Sequence, residues 1–113
     1  MATPFREMLN LDRRIHEPSR LAILTALSAC DTADFAHLHR LTGLSAGNLS
    51  QHLAKLEAAE FVVIEKSFVR KRPRTEVRLT GDGRRALDEY WRRLDQMRQF
   101  AAQSSLQAGT TEE

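Results

Sequence analysis

Between Gly43 and Ala59 the chain sets out small, amide-bearing and cationic side chains at helical spacing: Ser45, Gly47, Asn48, Ser50, Gln51, Ala54 and Lys55. With about 100° of rotation per residue, a helix from Ser45 to about Ala59 gathers Leu49, Leu53 and Leu56 on one stripe with Ala46 beside them. The polar set falls on the opposite side. Asparagine and glutamine amides pair bidentately with an adenine edge, lysine reaches guanine or phosphate, and glycine and alanine let a duplex approach closely. An ordinary solvated helix face is the alternative this segment leaves open by itself.

A second group of nucleic-acid ligands follows. Phe61–Val69 is rich in β-branched and aromatic residues, and Thr75–Thr80 alternates polar and apolar, so both read as strands. Between them lies a basic, proline-bearing turn, Arg70-Lys71-Arg72-Pro73-Arg74. From Lys66 to Arg74 there are five basic side chains and no acidic one, whereas the whole chain carries only +2. A hairpin with so local a charge suits phosphate or minor-groove contact, where neutralising phosphates releases counterions. A solvated charge run is the plainer reading.

These side chains need a scaffold. Gly43 supplies the positive φ of a tight turn and Ser45 caps the next helix, which together make a helix-turn-helix. Upstream, Pro18 fits the first turn of a helix reaching about Ala29, and Asp34 caps another that turns Phe35, Leu38 and Leu41 toward the core. With Leu49, Leu53, Leu56 and the inner side of the hairpin, these residues predict a three-helix core. Outside it, Phe5, Met8, Leu9, Leu11 and Ile15 predict an amphipathic N-terminal helix. Thr80 caps a C-terminal helix whose Leu87, Tyr90, Leu94, Met97 and Ala101 alternate steps of three and four, as in a helix-pairing seam that Trp91 and Phe100 broaden.

The order helix, helix-turn-helix, basic hairpin, long helix resembles the winged-helix transcriptional regulators of the MarR and ArsR type. The matching segments are His16–Leu24, Leu44–Leu53, Arg72-Pro73-Arg74-Thr75 and Leu79-Thr80-Gly81-Asp82-Gly83, within residues 15–94 of the 113. The resemblance is greatest to short, one-domain members whose wing ends in this way. It implies a mainly α fold with a small β-hairpin wing (α+β) and dimerisation helices at both ends. It also implies a homodimeric, sequence-specific binder of double-stranded DNA, by default a repressor, with the helix from Ser45 to Ala59 in the major groove. The wing, Lys66 to Arg74, would lie on the flanking backbone or minor groove.

On that reading the DNA-binding residues are Ser45, Gly47, Asn48, Ser50, Gln51, Lys55, Arg70, Lys71, Arg72 and Arg74. Phe5, Met8, Leu9, Leu87, Tyr90, Trp91, Leu94, Met97 and Ala101 would supply the dimer interface. Residues 1–103 form one domain, with its core at about 15–80 and its C-terminal helix at about 81–102, and 104–113 are expected to be a disordered tail. Two rivals stand beside this reading: a winged-helix protein-interaction module, and a nonspecific architectural DNA binder.

Metal and catalytic sites are not expected. The metal-sensing ArsR members carry paired cysteines in the recognition region or Asp and His pairs on the last helix. Here Cys30 is the sole cysteine and no histidine follows His52. His37 and His39, two apart on a helix, diverge by about 200°. Cys30 reads as a small buried hydrophobe at a helix end. Gly81-Asp82-Gly83 is too short to cradle phosphate, no local nucleophile-base pair is visible, and no cofactor is implied. No run is apolar enough to span a membrane, and Arg6, Glu7, Asp12, Arg13 and Arg14 interrupt any signal peptide, so a cytoplasmic location is expected. A small-molecule effector is unassigned, although Phe5, Tyr90 and Trp91 offer an apolar lining if they are not dimer core.

Overall fold

The computed structural model describes residues 3–111. In chain order it contains α1 (Pro4–Glu7), a 3-10 turn (Met8–Asn10), α2 (Pro18–Cys30), β1 (Thr32–Asp34), α3 (Phe35–Thr42), α4 (Ala46–Ala58), β2 (Val62–Val69), β3 (Arg72–Leu79) and α5 (Gly81–Thr111). Local chemistry sets most of the boundaries. Glu17 caps α2 by accepting from the N–H groups of Ser19 and Arg20, with Pro18 in the first turn. Asp34 caps α3 through His37 N–H at 2.8 Å, and Gly43 ends it at φ 69°. Ser45 Oγ then accepts from Asn48 N–H, which starts α4. Thr80 Oγ1 accepts from Gly83 N–H and donates to the Glu60 carbonyl, fastening the start of α5 to the loop before β2.

The core is built around Ile23, Leu24 and Leu27 of α2, Leu38 of α3, Leu49, Leu53 and Leu56 of α4, and Val62, Val77 and Leu79 of the sheet. Leu11, Ile15, Leu87 and Tyr90 join it. This differs from the expected N-terminal helix: the helical turns stop at Asn10, the chain becomes extended at Leu11, and both Leu11 and Ile15 turn inward. Leu41 is 54% exposed rather than packed. A stripe at strict three-residue spacing drifts about 60° per step, so Leu38 takes the buried position and Leu41 rotates out. Ala46 is exposed at the first turn of α4, ahead of the core. Cys30 is exposed where α2 ends, its Sγ bonded to the Ala26 carbonyl.

The sheet has order β1-β3-β2 and is antiparallel throughout. Its shortest strand, β1, pairs Thr32–Asp34 with Arg78–Glu76 and was not expected. The wing is longer and tighter than a five-residue turn: only Arg70 and Lys71 connect the strands, at φ 53° and 67°, and Val69 faces Arg72 across the ladder. Pro73 therefore lies inside β3, opposite Phe68. Pairs alternate between bonded and non-bonded, so this second pair asks no N–H of Pro73, and β1 ends too soon to need one on the other side.

At the C-terminal end, α5 runs to Thr111, so the backbone of 104–111 is helical where a disordered tail was expected; residues 112 and 113 lie outside the described residues. Its 31 residues extend about 46 Å, and they give the molecule its elongated extents of 73 × 25 × 21 Å. Phe5 of α1 folds back onto Phe100, edge to face at 5.2 Å. The architecture is α+β: helices, a helix-turn-helix and a small antiparallel sheet with a projecting wing.

Candidate nucleic-acid interface

Ser45, Gly47, Asn48, Ser50, Gln51 and Lys55 are all exposed on α4 or at its cap, and the helix that presents them is seated by three buried leucines. They do not share one direction. Ser50, Ala54 and Glu57 border a groove of about 560 Å³ beside the wing, closed by Phe35, Leu53, Ile64, Lys66 and Thr75. Asn48, Gln51 and Lys55 turn outward, away from that groove, and Gly47 lies between, close to the angle of Ala54. At Gly47 a Cβ would meet nothing within 4 Å, so no packing demand inside the chain explains its glycine.

The wing divides its charge between two faces. Strand alternation and register place Lys66, Phe68, Pro73 and Thr75 on the face that continues from Ile64 and Val77 toward α4. Arg72, Arg74, Glu65, Glu76 and Arg78 share the other face. Arg74 Nη2 lies 3.3 Å from Glu76 and 3.8 Å from Asp34, so its charge is locally balanced. Among the described residues Arg70, Lys71 and Arg72 have no acidic partner within ion-pair distance. Phe68, 77% exposed, projects near the tip on the face of Lys66, opposite to that of Arg72. An outward amide face with an adjoining cationic projection can read base edges and hold phosphate, two different tasks in duplex recognition.

With that geometry in view, a family model described as a winged helix DNA-binding domain matches residues 19–97. The chain belongs to that family. The winged-helix domain is 37% identical over 71 residues to an uncharacterized protein of Methanocaldococcus jannaschii, a span covering 63% of this chain and 77% of the relative. It is also similar to the structure of a transcriptional regulator homologue from Pyrococcus horikoshii, at 28% identity and a TM-score of 0.69, with 91% of this chain and 96% of that one covered. A MarR-family transcriptional regulator from Silicibacter pomeroyi, 22% identical, shares the fold at a TM-score of 0.61, covering 97% of this chain and 81% of that one. The winged-helix fold that the resemblance implied is therefore the fold of this chain.

The expected dimerisation set separates into two groups. Leu87 and Tyr90 are taken by the domain's own core, at 2% and 5% exposure, so the seam written through them is not free. Tyr90 Oη lies 2.9 Å from His16 Nδ1, and burial pushes its hydroxyl pKa upward. Phe5, Met8, Leu9 and Trp91 remain exposed, as does Ala101, while Leu94 and Met97 are half-buried. Phe5 and Trp91 do not border the hollow beside Tyr90, which is lined by Asn10, Leu11, Asp12, Ala86, Glu89, Tyr90 and Arg93. Among the described residues no group of three or more His, Cys, Asp or Glu side chains is placed to hold a metal, and no helix is long and apolar enough to cross a membrane. Sequence reasoning missed Arg13, Arg14 and Arg20, which gather beside Lys55; the adjacent pair of arginines ahead of Pro18 was the available signal.

Proposed function

We propose that this winged-helix domain is a dimeric, sequence-specific transcriptional regulator that represses by occupying DNA, with no catalytic role. The helix from Ser45 to Ala59 enters the major groove, where Asn48 and Gln51 read base edges, and Arg70, Lys71 and Arg72 of the wing hold the flanking backbone or minor groove. One observation carries this reading: the outward face of α4 bears Gly47, Asn48, Gln51 and Lys55 with no carboxylate, next to a wing whose Arg70, Lys71 and Arg72 have no acidic partner within ion-pair distance among the described residues. Exposed Phe5, Met8, Leu9 and Trp91 at the far end support a second copy as the partner there. Two copies would read an inverted repeat with half-sites about 10 to 10.5 base pairs apart. A cytoplasmic site of action goes with this role.

Selection of binding sites from a fully randomised duplex pool near physiological salt, followed by sequencing, tests the proposal. An enriched inverted repeat is expected. Retention without a motif would replace it by an architectural role. No retention would favour a protein-interaction module, for which exposed Phe68 and Val69 amid cations would be the docking tip.

A further inference from the structure

Arg13, Arg14, Arg20 and Lys55 converge on a shallow hollow of about 320 Å³ with no carboxylate in its lining. The connection before α2 is fixed there by Arg20. Its Nε donates to the Arg14 carbonyl at 2.7 Å and its Nη2 to the Arg13 carbonyl at 3.0 Å. Arg14 is held by both oxygens of Asp12, at 2.9 and 2.8 Å, and its guanidinium lies over the Phe61 ring. The hydrogen bond from Arg14 keeps the Asp12 carboxyl below its ordinary pKa. Arg13 and Lys55 have no acidic partner within ion-pair distance among the described residues. Arg20 Nη1 also lies 3.8 Å from the Glu17 carboxylate, so the hollow has two neutralised cations that build it and two that are left over.

Its position relative to α4 supplies the function. At about 100° per residue, Ser50, Ala54 and Glu57 face the wing, while His52 and Lys55 lie toward the other flank. There Arg20 Nη1 approaches His52 Nδ1 at 3.4 Å. Gly47 and Gln51 project between the two flanks. A helix lying in a major groove about 12 Å wide has a phosphate backbone on either side of it. The wing addresses one side. We propose that the hollow is a phosphate seat for the backbone on the opposite side, with Arg13 and Lys55 as donors and Arg20 as the strut that holds the loop in place.

This rests on the DNA-binding reading, and the test separates the two. Binding of the full chain to a labelled selected site and to a random duplex is measured over a series of salt concentrations for the wild type, Arg13→Ala and Arg13→Lys. Truncating Arg13 leaves its carbonyl, and so the strut, in place; a circular-dichroism melt checks the fold. Arg13→Ala should weaken both duplexes equally, about three- to tenfold, and lower the slope of log affinity against log salt by about 0.9. Arg13→Lys should restore most of that slope. Unchanged affinity and slope in Arg13→Ala, with the wild type binding normally, would overturn the phosphate seat alone, whereas a wild type that binds no duplex overturns the DNA reading as well. The same chains are titrated with inorganic phosphate. If phosphate stabilises the wild type but not Arg13→Ala, while both bind DNA equally, the hollow takes a free anion and the backbone assignment is overturned.

Discussion

Helix α4 and the wing both present polar groups outward, yet they are supported in opposite ways. Behind α4 stand Leu49, Leu53 and Leu56, all buried, so the outward amides are held to the geometry of the core. Along the wing, every residue from Glu65 to Arg74 is exposed, and what it projects is mostly charge. A hydrogen bond to a base edge needs its donor in place to within fractions of an ångström, whereas attraction to phosphate tolerates movement. On the proposed DNA-binding role, readout falls where packing makes the backbone rigid, and sequence-independent attraction where it does not.

The strongest way to break this comparison acts through the scaffold. Leu53→Ala should cost about 2 to 5 kcal/mol of stability and abolish site-specific and nonspecific binding together through unfolding. Denaturant melts would check it, and a stable variant that had lost binding would show that the helix is not fixed as described. Next in size, Gln51→Ala and Asn48→Ala should leave the melt unchanged and weaken the selected site by about 1 to 3 kcal/mol, with random duplex little affected. Equal losses on both duplexes would erase the division between the two regions.

The wing itself offers a finer division. Arg72→Ala should lower affinity for all sequences and reduce the salt slope by about 0.9, whereas Arg74→Ala, whose charge is balanced by Glu76 and Asp34, should reduce it less. Identical slopes would mean that Arg74 exchanges its carboxylates for phosphate on binding.

The smallest effect expected is an acid one. Burial works against the charge of Glu17, but N–H donation from Arg20 and Ser19, with the charges of His52 and Arg20, outweighs it and lowers the carboxyl pKa from its ordinary 4.5. Because the folded value is the lower one, this stabilisation is present above pH 4.5 and is lost as pH falls through the folded value. Glu17→Gln should flatten that acid limb by at most about 1 kcal/mol in melts between neutral pH and the acid limb.

Features governed by neighbours in sequence were legible in the residues themselves. The stops and starts at Asp34, Gly43, Ser45 and Thr80 depend on side chains within three residues of the backbone groups they satisfy, and the leucine stripe of α4 on helical period alone. Long-range geometry was not legible. β1 has only three residues, too few to display alternation, and its partner is some forty residues away in β3. Leu87 and Tyr90 fit a pairing seam by spacing, but the inward turn of Leu11 and Ile15 completes the core that buries them. For the interface, the outward residues of α4 were readable one by one. The balancing of Arg74 by Asp34 and the gathering of Arg13, Arg14 and Arg20 beside Lys55 were not, since each joins segments distant in sequence.

The two-residue tip of the wing bears on how the hairpin closes. A hairpin loop with positive φ at both central positions is easiest for Asn-Gly, and Arg70 and Lys71 occupy it against their steric preference. Such a tip is a poor place to begin closure. The buried contacts of Val62, Val77 and Leu79 at the sheet's base are therefore expected to form first, with pairing advancing outward from them. In amide hydrogen exchange the protection of β2 and β3 should fade from Val62 toward Val69, and duplex DNA should slow exchange most at the end that closes last. Replacing the tip by Arg70→Asn with Lys71→Gly should flatten that gradient in the free protein while removing two of its cations, so the wing's ease of closure and its proposed hold on phosphate are set against each other at the same two residues.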